Sequence, residues 1–179
     1  TDTVRVSVLA VNDAPVITAL DSVTIAEDSS AEVNLVASDV DEDSLEFSVY
    51  SDTSAITTNV DGNNLTLTPL ADWNGIADIT VIVTDGALSD TTSFAFTVNP
   101  VNDPPVANAF ADTTDEDSSV SFELTGSDIE EVALTFSILD STAHGTLAGI
   151  LPSLTYTPED NYFGADSFTF TVNDGEYLD

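Results

Sequence analysis

The sequence contains no cysteine, no methionine and no lysine, and Arg5 is its only strongly basic residue. Without cysteine the chain has no disulfide, no thiolate metal site and no catalytic thiol. No apolar run approaches the roughly 20 residues that a membrane-spanning helix needs. Covalent cross-links, thiol chemistry and a helical membrane span are therefore excluded for this sequence.

Positive charge is almost absent, whereas 33 residues are Asp or Glu, which gives a formal net charge of −32. Such a chain repels nucleic acid and anionic lipid, because it has no cations to meet phosphates. Hydrophobic residues still make up 42% of the sequence, so the acids are expected to coat a folded body. Carboxylates within a Debye length of roughly 8 Å repel one another unless divalent cations or high salt neutralise them.

Groups for catalysis are also missing. His144 is the only histidine, which excludes a zinc site of several histidines, and its neighbour Gly145 indicates a turn. The sequence has no phosphate-binding glycine loop, no nucleophile elbow and no basic patch. Paired carboxylates could hydrolyse a glycosidic bond, but nothing here indicates a pair in a cleft with one raised pKa. We therefore expect a protein that is not an enzyme.

An internal repeat organises the chain. Glu27-Asp28-Ser29-Ser30 recurs 89 residues later as Glu116-Asp117-Ser118-Ser119, and Asn12-Asp13-Ala14-Pro15 recurs 90 residues later as Asn102-Asp103-Pro104-Pro105. Within each repeat, short alternating apolar runs are separated by turn residues, which is typical of an antiparallel β-sandwich with about seven strands. In the first repeat the inward positions are Val33, Leu35, Leu45, Phe47, Val49, Leu65, Leu67, Ile79, Val81, Val83, Phe94, Phe96 and Val98. Asp61-Gly62 predicts a tight hairpin.

The first residues of the chain match the end of a repeat, not its beginning. Val4, Val6 and Val8 match the last strand of the first repeat, at Phe94, Phe96 and Val98. We therefore assign residues 1–11 to the final strand of a preceding repeat or to a donor strand, residues 12–101 to repeat 1, and residues 102–179 to a repeat 2 that lacks its own final strand. Three explanations stay open: one unit of a continuous array, a strand donated to a neighbouring chain by β-augmentation, or an arbitrary boundary.

The motifs of the two repeats carry a family resemblance. They are Ala143-His144-Gly145-Thr146-Leu147, Tyr156-Thr157-Pro158, Tyr162-Phe163-Gly164-Ala165-Asp166-Ser167-Phe168 and Asn173-Asp174-Gly175 in the second repeat, and Leu65-Thr66-Leu67-Thr68-Pro69, Trp73-Asn74-Gly75 and Thr84-Asp85-Gly86 in the first. This pattern resembles the bacterial cadherin-like (Ig-like) tandem repeats of large surface adhesins and extracellular matrix proteins. The resemblance implies an all-β fold of two tandem Greek-key β-sandwiches, in a bacterial protein that is extracellular or on the cell surface.

Acidic loop residues are candidate calcium ligands, because calcium takes six to eight oxygen ligands from carboxylates and carbonyls. Spacing by two puts Asp39, Asp41 and Asp43 on one side of an extended loop, where they repel unless a cation lies between them. The second repeat has Val132 instead of the third acid, so its site should be weaker or missing. The resemblance further implies that calcium is shared between domains. The candidate metal ligands are Glu27, Asp28, Asp39, Asp41, Asp43, Asp85, Asn102, Asp103, Glu116, Asp117, Asp128, Glu130 and Asp174.

Three functions are compatible with this sequence. The first is a calcium-stiffened structural or adhesive spacer, whose partners are neighbouring repeats of the same array. The second is a self-assembling filament subunit, in which residues 1–11 complete the second domain of an identical chain, head to tail. The third is a carbohydrate-binding module that stacks polysaccharide on Trp73, although a core or loop-anchoring role is the commoner use of such a residue.

Overall fold

The computed structural model describes residues 2–179, and these residues form no helix. They divide into two compact units, the first reaching Val101 and the second covering Asn102–Asp179. The all-β prediction is therefore confirmed. A search of the described residues for a helix able to cross a membrane finds none.

The first unit contains nine strands. They are β1 (Val16–Ile17), β2 (Val23–Ala26), β3 (Ala31–Asn34), β4 (Ala37–Ser38), β5 (Glu46–Ser51), β6 (Ile56–Asp61), β7 (Asn64–Pro69), β8 (Gly75–Thr84) and β9 (Ser89–Asn99). One sheet has the order β2-β9-β8-β5 and a second the order β3-β7-β6, while β1 pairs with β4. All pairs are antiparallel except β2 with β9, which run parallel.

The core of the first unit lies between these sheets. Leu65 and Leu67 of β7 belong to one cluster with Val81 and Val83 of β8 and Phe96 of β9, and all five are fully buried. Every inward position predicted from the alternation is either buried in this cluster or packed against it. The two-residue alternation of apolar and polar side chains thus sets which face of each strand enters the core. The predicted hairpin joins β6 to β7.

The second unit contains seven strands. They are β10 (Val106–Asn108), β11 (Val120–Glu123), β12 (Thr125–Ser127), β13 (Thr135–Asp140), β14 (Gly145–Ile150), β15 (Ser153–Pro158) and β16 (Thr169–Asn173). They pair as β11-β15-β14, β13-β16 and β10-β12. By the repeat offset, the strands missing relative to the first unit are the counterparts of β2 and β9.

Both differences concern segments that pair with β9 in the first unit. There β2 pairs only with β9, and the first half of β8 also pairs only with β9. In the second unit residues 112–115 and 164–168, which correspond to β2 and to the start of β8, are irregular.

Fewer side chains are fully buried in the second unit than in the first. Leu124, Leu154 and Val172 are buried, but the aromatic side chains beside them are only partly covered. Phe122 and Phe168 stack with ring centroids 5.6 Å apart, and Phe110 lies 5.0 Å from Phe122. These rings line a groove of about 640 Å³.

Candidate metal centre

Acidic loops of the first unit meet where the chain enters it. The side chain of Asn12 donates a hydrogen bond to Oδ2 of Asp85 (2.9 Å), and the backbone N–H of Asp13 donates to Oδ2 of Asp41 (2.8 Å). The backbone N–H of Asp41 in turn donates to Oδ1 of Asp39 (2.8 Å). The loops after β4 and β8 are thereby tied to the entering chain. We call this group the N-terminal cluster of the first unit; its members are Asn12, Asp13, Asp39, Asp41, Asp43 and Asp85.

Three carboxylates of this cluster are crowded together. Asp39, Asp41 and Asp43 each offer one oxygen atom, and these atoms lie within 4.8 Å of one another. Oδ2 of Asp39 is buried and has no hydrogen-bond partner among residues 2–179. A buried carboxylate oxygen without a donor is costly, and three neighbouring carboxylates repel one another. An arrangement made only of oxygen ligands, with one of them orphaned, fits a hard cation such as calcium.

Asp85 is held ionised by its own turn. Its Oδ1 accepts hydrogen bonds from the backbone N–H groups of Leu88 (2.7 Å) and Ala87 (2.6 Å). These two bonds, followed by the one from Asn12, lower the pKa of Asp85 below its ordinary value. The carboxylate is therefore negatively charged at neutral pH and can serve as a cation ligand.

The second unit repeats this geometry where it begins. Asn102 donates through its side chain to Oδ2 of Asp174 (2.7 Å), and the backbone N–H of Asp103 donates to Oε2 of Glu130 (3.2 Å). The N–H of Glu130 donates to Oδ1 of Asp128 (3.0 Å), and Oδ2 of Asp128 is buried without a hydrogen-bond partner in the described chain. This N-terminal cluster of the second unit comprises Asn102, Asp103, Asp128, Glu130 and Asp174.

Like the first cluster, the second contains an acid with a lowered pKa, but it has one carboxylate fewer. Burial raises the pKa of Asp174, but backbone hydrogen bonds from Glu176 and Tyr177 outweigh it, so that the pKa is lowered overall. Val132, which stands at the place of Asp43, leaves the second cluster with one carboxylate fewer.

Glu27 occupies a different place in the first unit. It is the single buried charged side chain among residues 2–179, with 4% of its surface exposed. Its Oε1 accepts a hydrogen bond from the backbone N–H of Val101 (2.5 Å), and its Oε2 accepts one from the side chain of Asn74 (3.3 Å). The neighbouring Asp28 accepts from the N–H of Asp72 (3.2 Å). We call Glu27, Asp28, Asp72 and Asn74 the C-terminal cluster, because it holds the residue after which the first unit ends.

Only half of this cluster is repeated in the second unit. Asp117 accepts a hydrogen bond from the N–H of Asn161 (2.8 Å), as Asp28 does from Asp72, and both acids have positive φ angles near 60°. Glu116, the counterpart of Glu27, is exposed. Glu27 has its backbone donor directly after β9, and the described residues of the second unit include no such strand.

The candidate ligands thus lie in separate groups, which are the two N-terminal clusters, the C-terminal cluster and the pair Glu116 and Asp117. Residues that the sequence reasoning did not name as ligands also take part, namely Asn12, Asp13, Asp72 and Asn74. Asn12 and Asp13 could have been found, because they match Asn102 and Asp103 at the repeat offset. Asp72 and Asn74 carry no comparable signal.

Two other residues of interest have structural roles. Trp73 is partly buried and packs against the core of the first unit, and its ring lies against Gly75, which has a φ of 146°. This contact is the core or loop-anchoring role that is the commoner use of such a residue. His144 lies in a bend and stacks on Tyr162 with ring centroids 4.3 Å apart.

Asp166, which the sequence reasoning did not single out, is fully engaged inside the second unit. It accepts hydrogen bonds from the N–H groups of Ala143 and His144 (2.9 Å each) and from the hydroxyl of Tyr156 (3.0 Å). Burial opposes its ionisation, yet these bonds lower its pKa to about 2. The same contact, after burial, raises the pKa of Tyr156 to about 12. Asp166 is therefore a structural acid that ties the loop before β14 to β15.

The family model of the bacterial Ig domain matches residues 12–99 and residues 102–178. The chain belongs to the bacterial Ig domain family. It contains two such domains in tandem, as the resemblance of its motifs predicted, and no curated protein matches it.

The chain is also similar to solved structures, and the first of those below shares its fold. The crystal structure of human protocadherin-24 EC1-2 (form II) is 19% identical, with a TM-score of 0.54, over 89% of this chain and 87% of that one. The titin domains Z1Z2 in complex with telethonin are 17% identical over 95% of this chain and 94% of that one, with a TM-score of 0.41. An endo-fucoidan hydrolase from glycoside hydrolase family 107 is 23% identical over 93% of this chain, with a TM-score of 0.42. The bacterial Ig domain pair spans only 27% of that hydrolase.

Proposed function

We propose that the two bacterial Ig domains form a calcium-stiffened, non-enzymatic spacer segment of a longer bacterial protein that is secreted or displayed on the cell surface. The observation that carries this proposal is the repeated N-terminal cluster. Each domain begins with an Asn-Asp pair whose groups bond to acids on two loops, and each cluster contains a buried carboxylate oxygen without a hydrogen-bond partner among the described residues.

Calcium would supply the missing positive charge at these clusters. In the first domain Asp39, Asp41 and Asp43 would hold it, because their oxygens already lie within 4.8 Å of one another. In the second domain Asp128 and Glu130 would do so with one carboxylate fewer, and we expect weaker binding there. Asp85 and Asp174, with lowered pKa values, would contribute charge beside the ion at neutral pH.

Calcium at the second of these clusters would also order the linker between the domains. Glu27 fixes the N–H of Val101, and Asn102 and Asp103 follow directly in the sequence. Pro104 and Pro105 then restrict the backbone, since proline fixes φ. A calcium ion at the N-terminal cluster of the second domain would bind only where Asn102 and Asp103 are ordered, and it would stabilise that order as its concentration rises. This linkage is how a string of domains would become a stiff spacer.

Calcium binding can be tested with a charge-matched pair of variants. Asp41→Asn removes one carboxylate from the N-terminal cluster, whereas Asp61→Asn removes one from the exposed β6–β7 hairpin and serves as control. Isothermal titration of calcium into the whole chain at constant ionic strength should show a site lost or weakened at least tenfold in Asp41→Asn alone. Equal binding by both variants and the parent would show that calcium only screens the net charge, and the proposal would be wrong.

A further inference from the structure

The four-stranded sheet of the first domain has an outward face as well as a core face. Its order is β2-β9-β8-β5, and alternate side chains of these strands point away from the core. The strand register gives two neighbouring rows of outward side chains, each with one residue from β5, β8 and β9. The rows are Tyr50-Thr80-Ser93 and Ser48-Ile82-Thr91, and we call these six residues the hydroxyl face.

The hydroxyl face is uncharged on a chain whose formal net charge is −32. The nearest acids on this side of the sheet lie at its ends, where Asp78 precedes Thr80 on β8 and Glu46 precedes Ser48 on β5. The field of the whole chain repels an anionic polymer, and a cationic polymer would be drawn to the acidic loops. The partner that suits this face is therefore a neutral one.

Hydroxyl groups and apolar surface alternate across the face. Five of its six side chains carry a hydroxyl, and these hydroxyls make no hydrogen bond within residues 2–179. Each can donate one hydrogen bond and accept others. Tyr50 is 59% exposed, and its ring and the side chain of Ile82 supply apolar surface beside the hydroxyls. A sugar ring has the complementary chemistry, because it carries hydroxyls at its edge and C–H groups on its faces.

The size of the face argues against a second copy of the chain as its partner. Three strands and two rows of side chains cover roughly 14 Å by 14 Å, or about 200 Å². A stable contact between proteins buries about 800 Å² on each partner. Two copies would also repel each other, since both carry the same large negative charge. A short run of sugar rings fits on the smaller area and brings no charge.

Two other surfaces of the chain carry hydroxyls without an aromatic ring. The outward side chains of β3, β6 and β7, on the second sheet of the same domain, are all polar. In the second domain, Leu139 stands 89 residues after Tyr50 and takes its place in the repeat. Both surfaces therefore provide matched controls, because they share the hydroxyl content of the face but lack its ring.

We propose that the hydroxyl face of the first domain binds a neutral polysaccharide. One sugar ring lies over Tyr50, and sugar hydroxyls bond to the side chains of Thr80 and Ser93. This function goes beyond that of a spacer, because it attaches the segment to a glycan along its side. The site contains no proposed calcium ligand, and its test is run in chelator, so that its failure is separable from failure of the calcium sites.

Electrophoresis in native gels that contain hydroxyethyl cellulose, dextran or mannan tests the binding. The parent should be retarded in at least one of these gels, and Tyr50→Ala should lose that retardation. Leu139→Ala is the matched control and should be retarded like the parent. All three proteins carry the same charge, so their mobilities without polysaccharide should be equal. A parent that no gel retards, or equal retardation of the parent and Tyr50→Ala, would overturn the proposal, as would a loss shared by Leu139→Ala.

A pair of threonine variants tests the position of the site. Thr80→Val removes one hydroxyl from the centre of the face, and Thr66→Val does the same on the central strand of the second sheet. Loss of one hydrogen bond should raise the dissociation constant of Thr80→Val roughly three- to tenfold, with Thr66→Val unchanged. Equal binding by both variants would place the site elsewhere. A dimer of the parent that Tyr50→Ala abolishes in sedimentation velocity would assign the face to a second copy and overturn the proposal.

Discussion

Replacement of Glu27 by alanine should destabilise the first domain, whereas the same change at Glu116 should not. The two residues stand at equivalent places in the repeat, but Glu27 is 4% exposed and Glu116 is exposed. Glu27→Ala removes the acceptor of the Val101 N–H and of the Asn74 side chain. Asn74 is exposed and can turn to water, so the loss at Val101 dominates.

The size of the effect follows from that one bond. A hydrogen bond to a charged acceptor contributes about 1.5–3 kcal/mol, and partial access of water to the freed N–H reduces the loss to about 1–3 kcal/mol. For a domain of this size the melting temperature should fall by roughly 4–24 °C. Glu116→Ala should change the unfolding free energy by less than about 0.5 kcal/mol in dilute monomer.

The assay has a built-in reporter. Trp73 is the only tryptophan and packs against the core of the first domain, so its fluorescence follows unfolding of that domain alone. Urea unfolding would be measured in chelator, with unchanged slopes as the check on two-state behaviour. Equal stability of Glu27→Ala and the parent would show that the buried carboxylate does not hold the end of the domain, and the reasoning about the C-terminal cluster would be refuted.

Three further predictions follow from individual side chains. Glu27→Gln keeps an acceptor for Val101 and should unfold like the parent in chelator, but should lose part of the stabilisation that calcium gives the parent; an equal calcium shift would exclude Glu27 as a ligand. Asp166 has a pKa lowered to about 2, so its contribution to stability is complete above pH 4 and is lost as the pH falls toward 2. Acid unfolding of Asp166→Asn, followed by near-UV circular dichroism, should therefore be shallower in this range; an unchanged slope would contradict the assignment. Gly145→Ala should lower the melting temperature of the second domain by about 10 °C or more, because the new Cβ would lie 2.3 Å from the Tyr156 ring; scanning calorimetry showing no shift would contradict that close contact.

The sequence predicted the fold well, because the relevant signal is local. Burial of one sheet face imposes a two-residue alternation, and Phe94, Phe96 and Val98 are buried as that pattern requires. The expected seven strands per domain matched the second unit, while the first has nine. The two-residue strands β1 and β4 leave too short a pattern to be recognised.

The site was less accessible to sequence reasoning, because long-range contacts decide it. The bond between Asn12 and Asp85 joins residues 73 positions apart, and no local pattern indicates it. Glu27 and Glu116 are followed by the same three residues, yet one is buried and the other exposed. The backbone donor of Glu27 is Val101, 74 positions away, and the motif around Glu27 does not indicate that contact.

The most direct test of the spacer proposal is small-angle X-ray scattering of the whole chain, titrated with calcium against chelator at constant ionic strength. Size exclusion directly before the measurement selects the monomer, so that a change in the profile reports the joint between the domains. We predict that calcium increases the maximum dimension and removes the scattering signature of flexibility, with saturation at the concentrations where calorimetry detects binding. A profile that is the same in calcium and in chelator would contradict calcium stiffening of this pair of bacterial Ig domains.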